Sequence, residues 1–250
     1  MPDLPPYPHG DRSRVRLDYR PADIWLHVTT DTERKYRTTA CRKEPWTVEW
    51  LQHSVQPGDI VYDVGANVGA FTLIAAVHRG AHVIAFEPGY ANYARLCENI
   101  QLNHCAGAVI PFPLPLAEDN GLIGLLYRSL ESGQSRHSMK RDRWCFGRQS
   151  KEGRYEQPMS AIRLDTARVQ FGGPAPNHIK LDVDGAELRV LHGATETLSS
   201  SGLRTMMTEV ADDLWTDVER VLADAGLHLV RKIARPGAAT YALFERPSNE

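Results

Sequence analysis

The sequence has 250 residues, a formal net charge of −2 and 42% hydrophobic residues. That is enough apolar content for one sizeable globular domain, or a domain with an appendage, and too little positive charge for a general nucleic-acid binder. No apolar run is long enough to cross a bilayer, and Met1 to Pro8 lacks a basic-then-apolar leader pattern. Cys41, Cys97, Cys105 and Cys145 lie too far apart for a Cys-x-x-Cys pair. A metal ribbon or redox motif is therefore not indicated, and a reduced, cytoplasmic protein is expected.

Residues 1–43 read as an N-terminal tail and accessory segment. The first ten are Pro-rich, and Asp23 to Val28 predicts a short strand outside the main sheet. Glu44 to Val55 predicts a helix, with Trp46, Trp50, Leu51 and Val55 on one face and Pro57-Gly58 as its stop. Ile60-Val61-Tyr62-Asp63-Val64 is the run of a buried parallel strand; it breaks at Gly65 and Gly69 and passes into a helix from Phe71, closed at Gly80. His82 to Phe86 is a second strand ending in Glu87-Pro88, and the helix after it runs through Tyr93, Leu96 and Ile100. Ala108 to Ile110 makes a third strand, and Gly121 to Tyr127 another that lies outside the regular alternation. His178 to Asp184 is the fourth sheet strand, followed by a helix from about Ala186 to Leu198; Arg204 to Val210 is the fifth. Asp212 is expected to cap a helix that ends at Gly226. Leu227 to Ile233 and Thr240 to Phe244 form a terminal hairpin around Arg235-Pro236-Gly237. Strands alternating with helices imply a doubly wound α/β fold, a mostly parallel sheet covered on both faces with one antiparallel strand at its close.

A strand, a glycine loop and a helix make the first half of a nucleotide-binding βαβ unit. The spacing departs from the dinucleotide fingerprint: the middle glycine is missing, and Asp63 places an anion where a pyrophosphate would sit. That carboxylate suits a cationic amino-acid group instead. The ligand indicated is a nucleoside carrying positive charge, and S-adenosylmethionine fits. Glu87, at the end of the next strand, is placed to accept hydrogen bonds from both ribose hydroxyls; its other use is to cap the following helix.

Six stretches then occur in order: Glu44-Pro45, Pro57-Gly58-Asp59, Asp63-Val64-Gly65-Ala66-Asn67-Val68-Gly69, Phe86-Glu87-Pro88, Asn99-Ile100-Gln101-Leu102-Asn103 and Ile179-Lys180-Leu181-Asp182-Val183-Asp184-Gly185-Ala186-Glu187. Together they resemble the FkbM family of S-adenosylmethionine-dependent methyltransferases, from about Glu44 to Val210. The resemblance implies a class I methyltransferase fold, Rossmann-like, with seven strands of which the last is antiparallel. It makes residues 44–250 the methyltransferase domain, with an acceptor loop inserted at about 118–177, and implies O-methylation of a hydroxyl on a small metabolite, sugar or natural product. By position, Gly65, Ala66, Asn67 and Gly69 would shape the loop beneath the amino-acid end of the cofactor, and Asp63 would face its ammonium directly or through water. Glu87 would take the ribose, while Pro88, Leu116 and Ala117 would flank adenine; Glu44 and Asp182 count as further cofactor contacts. The chain departs from the family in carrying Asp184 where members often have Glu, and Gly133 to Ser138 where they often have a Ser-rich stretch.

Methyl transfer needs an acceptor oxygen placed in line, and a hydroxyl also profits from a base. Asp184, Asp182 and His137 are the candidates. Alternation puts Lys180, Asp182 and Asp184 on one face of the fourth strand, although Asp182 serves equally well as the ion-pair partner of Lys180, and Asp184 as the start of the next helix. Glu187 and Glu209 reach the cleft edge by topology, as site groups or in structural pairs. Asp182 and Asp184 suit a divalent cation, but no third ligand is evident and no metal is expected. Between Arg136 and Arg154 basic residues far outnumber Asp142 and Glu152, with Trp144, Phe146 and Tyr155 among or beside them. This segment reads as an acceptor lid or a solvated loop. The expected partner is a small-molecule acceptor, anionic or sugar-bearing, with no nucleic acid or membrane; a homo-oligomer is left open. Two other functions compete: a nicotinamide-dependent oxidoreductase, which the missing glycine and Asp63 oppose, and a non-catalytic nucleoside-binding module.

Overall fold

The central strands are apolar on both faces, which forces their sheet between two packed layers. Val61, Val83, Ala85 and Val109 share one core with Leu51, Leu73, Leu96 and Ile100, whereas Tyr62, Val64, Ile84 and Phe86 share another with Leu181, Val190, Leu222 and Phe244. The structure, a computed structural model, describes residues 13–135, 137–141, 155–234 and 239–247. The Pro-rich tail, Arg136, residues 142–154 of the basic segment with Cys145, and the Arg235-Pro236-Gly237 turn lie outside them.

In chain order, β1 (Ser13–Arg16) and β2 (Trp25–Val28) pair antiparallel, and α1 (Ala40–Lys43) and α2 (Pro45–Ser54) follow. Next come β3 (Ile60–Val64), α3 (Ala70–Leu73) running on as a π-helical turn over Ile74–His78, β4 (His82–Phe86), α4 (Tyr90–Leu102) and β5 (Val109–Phe112). The inserted region forms its own antiparallel sheet of β6 (Gly121–Leu126), β7 (Ser138–Arg141) and β8 (Glu156–Ala161), closed by α5 (Leu164–Gln170). Then β9 (His178–Leu181), α6 (Glu187–His192), α7 (Thr195–Leu198), β10 (Thr205–Val210), α8 (Trp215–Asp224), β11 (His228–Ile233) and β12 (Thr240–Glu245) complete the order. The main sheet runs β11-β12-β10-β9-β3-β4-β5, with β12 antiparallel to both of its neighbours and the other pairings parallel. Its direction of winding changes between β3 and β9. Ligands of open α/β sheets collect outside the carboxyl ends of the strands at such a point.

Four elements differ from their sequence-based reading. The strand expected from His178 to Asp184 ends at Leu181, and Asp184 has left-handed backbone at φ +54°. The helix expected from Ala186 to Leu198 is two, α6 and α7, because Gly193 and Ala194 are pressed against the insertion. A Cβ on Gly193 would overlap the carbonyl of Ala117, and the Asp165 carboxylate accepts from the N–H groups of Glu196 and Thr197 at 3.1 and 2.8 Å, capping α7 from outside. Asp212 caps nothing: it opens a 3₁₀ turn, Asp212–Leu214, and its side chain accepts from Thr240 Oγ1. Part of the basic segment, Ser138–Arg141, is strand β7 rather than loop.

The accessory segment is built into the domain. Leu17, Tyr19, Ile24 and Leu26 lie in the same core as Leu51 and Val61. Glu33, 1% exposed, meets Arg95 of α4 at 2.7 Å and also accepts from Thr29 N, Thr30 N and Ser132 Oγ. Those bonds to its charged form, with Arg95, outweigh burial and hold its pKa below the ordinary carboxylate value. The pair anchors the helical turn Glu33–Arg37, which ends in Arg37. Among the described residues no helix is long and apolar enough to cross a membrane.

Candidate active site

A cavity of about 530 Å³ opens at the carboxyl ends of β3, β4, β9 and β10, where Val64, Phe86, Asp182 and Glu209 reach its wall. Its floor depends on Gly65. This residue has φ +87°, and a Cβ there would overlap the carbonyl oxygen of Asp182 on the neighbouring strand. Only glycine lets β3 and β9 approach that closely and leaves bare backbone facing a ligand. Asn67, with φ +52°, turns the chain so that its N–H donates to Glu87 Oε2 at 2.8 Å, while its side-chain amide donates to the carbonyl of Gln134.

Glu87 performs the structural task and still lines the cavity. Its Oε1 accepts from the N–H of Gly89, the N-cap residue just before α4, and its Oε2 from Asn67. A carboxylate has about four lone-pair sites, so these bonds leave acceptor capacity for a ligand. Burial pushes its pKa up to about 7, against the pull of the two backbone N–H groups.

The carboxylates gather at the end of β9. Thr208 of β10 pairs with Leu181 of β9, so the next residues lie side by side: Glu209, still within β10 and paired with Tyr241 of β12, and Asp182, just past the end of β9. Lys180 Nζ bonds Asp182 Oδ2 at 3.2 Å and stands 3.7 Å from Asp63 Oδ1. Burial works against the ammonium, but Asp182, Asp63 and Glu44 outweigh it and hold the Lys180 pKa above its usual value. Burial opposes ionisation of Asp182 too, and Lys180 overcomes it, so Asp182 stays below the usual range. Glu209 has no such cation: burial, then the charge of Asp182, push it up to about 9, and it shares a hydrogen bond with Asp182. Asp184, at φ +54°, brings a third carboxylate oxygen into a set with Asp182 and Glu209 in which all three lie within 4.8 Å of one another. Glu209 is the partner that the sequence did not show.

Gly65, Asn67, Glu87, Pro88, Leu116, Glu44, Asp182, Asp184 and His137 all line the cavity. Four residues do not. Asp63 is 2% exposed and committed inward: it faces Lys180 in register across β3 and β9, and accepts from Thr72 Oγ1 at 2.5 Å. Ala66 borders only a small recess of about 30 Å³ beside the cavity, Gly69 starts α3 against Leu96, and Ala117 packs with Ile123 and Ala161 of the insertion. His137 lines the cavity but is poorly set as a base. Its Nδ1 accepts from the Arg128 N–H at 3.3 Å, which assigns the proton of the neutral ring to Nε2. Burial and then Arg37 depress its pKa. The sequence reading missed Arg37, Lys43, Asn92 and Tyr241 as lining residues. Arg37 has no local signal at all, because its position follows from the Glu33–Arg95 anchor and from its own bond to the Gly133 carbonyl at 2.7 Å.

The family profile of the methyltransferase FkbM domain matches residues 63–228. The chain belongs to the FkbM methyltransferase family. The cofactor that goes with this family and fold is S-adenosylmethionine. Relatives of the FkbM chain include the hexuronic acid methyltransferase AglP of Haloferax volcanii, 29% identical over 195 residues, covering 78% of this chain and 74% of that one. The 31-O-demethyl-FK506 methyltransferase FkbM of Streptomyces tacrolimicus is 30% identical over 185 residues, covering 65% and 70%. In fold, the chain is similar to the magnesium protoporphyrin IX methyltransferase of Synechocystis, solved with bound S-adenosylmethionine, at a TM-score of 0.52 and 14% identity over 88% of this chain and 86% of that one.

Proposed function

We propose that this FkbM methyltransferase moves a methyl group from S-adenosylmethionine to a hydroxyl oxygen of a small acceptor bearing an anionic or sugar group. One observation carries the reading: a single cavity is lined by Glu87, by the bare backbone of Gly65, and by the Asp182 and Asp184 carboxylates. A nucleoside acceptor group and proton-accepting groups thus face the same space, which a transfer reaction requires. The residues present fit the cofactor. Glu87 takes the ribose hydroxyls, Pro88 and Leu116 flank the adenine, and Glu44, with a buried Oε2 that lacks a hydrogen-bond partner, takes the ammonium expected of Asp63. When bound, S-adenosylmethionine supplies a methyl already activated on a sulfonium, which passes in line to the acceptor oxygen as the C–S bonding pair returns to sulfur. The chain then has to orient the hydroxyl and receive its proton, and Asp184, exposed at the cavity and nearer to solvent than Asp182, does so. Arg37 and Lys43 supply positive charge to the wall for an anionic acceptor. The names of the relatives, a hexuronic acid methyltransferase and an O-demethyl-FK506 methyltransferase, agree with a hydroxyl acceptor of this kind. A cytoplasmic location goes with that reading.

Methyl-labelled S-adenosylmethionine, offered with uronic acids, neutral sugars, alcohols and amines, tests it. The expected product is a base-stable methyl ether, formed faster on uronic acids than on neutral sugars. Label found only in base-labile esters or on amines would overturn the proposal. In Asp184→Asn, kcat should fall by roughly 10²–10⁴ with little change in cofactor affinity, as loss of a base predicts. Asp182→Asn should lose cofactor affinity as well.

A further inference from the structure

The inserted sheet turns one face to the cavity. Leu125 of β6 pairs with Met139 of β7 and with Gln157 of β8. The N–H of Tyr127 donates to the carbonyl of Tyr155 at 2.9 Å, which carries the second pairing past the end of the strand. Side chains alternate along paired strands, so Leu125, Tyr127, His137, Met139 and Tyr155 lie on the same side of this sheet. Leu125, His137 and Met139 line the cavity. Tyr127 meets the His137 ring at 4.9 Å and the Tyr155 ring at 5.9 Å, centre to centre, so the row runs outward from the cavity wall without a break.

Tyr90 opens α4 two residues past Pro88, which also lines the cavity, and brings a third ring to 5.5 Å from Tyr127. Tyr127 itself is 3% exposed and locked: its hydroxyl accepts from the Tyr90 N–H at 3.3 Å and donates to Gln157 Oε1 at 2.8 Å. Tyr155 and Tyr90, by contrast, are 52% and 46% exposed. Such rings offer an apolar face and a polar edge at low entropic cost. Tyr90 is inclined to Tyr127 by 57° and Tyr155 by 34°, so the two exposed rings are not parallel. A flat aromatic guest is gripped best between parallel faces. A sugar ring needs only one, against which it lays the C–H groups of one side while its hydroxyls turn to the polar edges.

Size points the same way. A cavity of about 530 Å³ is what one drug-sized ligand fills. With S-adenosylmethionine inside, it takes only the reacting end of an acceptor, and the remainder lies at the mouth. We propose that Tyr155 and Tyr90, seated on Tyr127, form a second sugar subsite that holds the unit next to the one methylated. The acceptor is then an oligosaccharide or glycoconjugate rather than a free monosaccharide. Stacking there touches no reacting atom, so it lowers KM and leaves kcat nearly constant. Which sugar enters the cavity rests on the methyl-transfer reading; the stacking itself does not.

The probes are galacturonic acid and its 1,4-linked disaccharide, with phenyl glucuronide as the flat-aromatic control. They are titrated into the full chain with excess S-adenosylhomocysteine and followed by NMR saturation transfer. The disaccharide should bind about five- to tenfold tighter than the monosaccharide, with saturation reaching the C–H groups of its second ring. Tyr155→Ala and Tyr90→Ala, both at half-exposed side chains, should each bring that ratio down toward unity, and Tyr155→Phe, which keeps the ring, should restore it. Absence of sugar binding, a ratio near unity in the wild type, a ratio that persists in both alanine variants, or a gain from the phenyl group with none from a second sugar would overturn the proposal. Methyl-labelled S-adenosylmethionine with the same probes separates the two ideas. If both sugars are methylated with no gain from length, the subsite falls alone; if binding depends on length and no methyl is transferred, the methyl-transfer reading falls and the subsite stands.

Discussion

Gly65→Ala is expected to abolish S-adenosylhomocysteine binding. The added Cβ overlaps the carbonyl of Asp182, an atom of backbone on the neighbouring strand that cannot rotate away. To relieve the overlap, β3 must part from β9 just where the cavity floor is formed, and Asp182 moves with it. A left-handed backbone at φ +87° adds roughly 1–2 kcal/mol for any residue with a Cβ. Gly58→Ala isolates that second cost. Gly58 has φ +85°, a Cβ placed on it would meet nothing within 4 Å, and it sits at the turn before β3, away from the cavity. It should lower stability by about the same 1–2 kcal/mol in urea unfolding and leave affinity unchanged. If both variants lose binding alike, strain rather than the close approach of strands is the cause.

Glu87→Ala should weaken S-adenosylhomocysteine by about 1–3 kcal/mol, roughly five- to 150-fold in Kd, through lost ribose hydrogen bonds. The pH dependence is the sharper part. Ribose hydroxyls donate, so the ionised carboxylate is the form that binds. With its pKa pushed up to about 7, Glu87 in the free protein is largely protonated at pH 6 and largely ionised at pH 8. Affinity should therefore rise across that interval and level off above it, because the ligand pulls the pKa down. Glu87→Gln keeps a similar shape but cannot ionise, and its affinity should be flat from pH 6 to 8. A wild-type profile as flat as that of Glu87→Gln would remove the ribose role.

What the sequence made legible is local. The apolar run of β3, the Gly65 turn and the acid at the end of β4 are each read from a few adjacent residues, and the order of motifs from Glu44 to Glu187 led to the FkbM family. The departures arise where a residue's use depends on a partner far along the chain. Asp63 looked like a ligand for an ammonium because nothing nearby shows that Lys180 would stand opposite it in register. Glu209 looked like an edge group until the pairing of Thr208 with Leu181 set it beside Asp182. Arg37 joined the cavity through the buried contact of Glu33 with Arg95, 62 residues away, and its own bond to the Gly133 carbonyl. His137 lost its standing as a base to a single backbone N–H.

Everything proposed for the chemistry depends on the cavity above Gly65 and Glu87 being a site for S-adenosylmethionine. Parallel calorimetric titrations of the purified chain with S-adenosylhomocysteine and with NAD test this most directly. The expected result is one S-adenosylhomocysteine per chain, weakened in Glu87→Ala, and no heat of binding from NAD. Saturable binding of NAD with none of S-adenosylhomocysteine would contradict it.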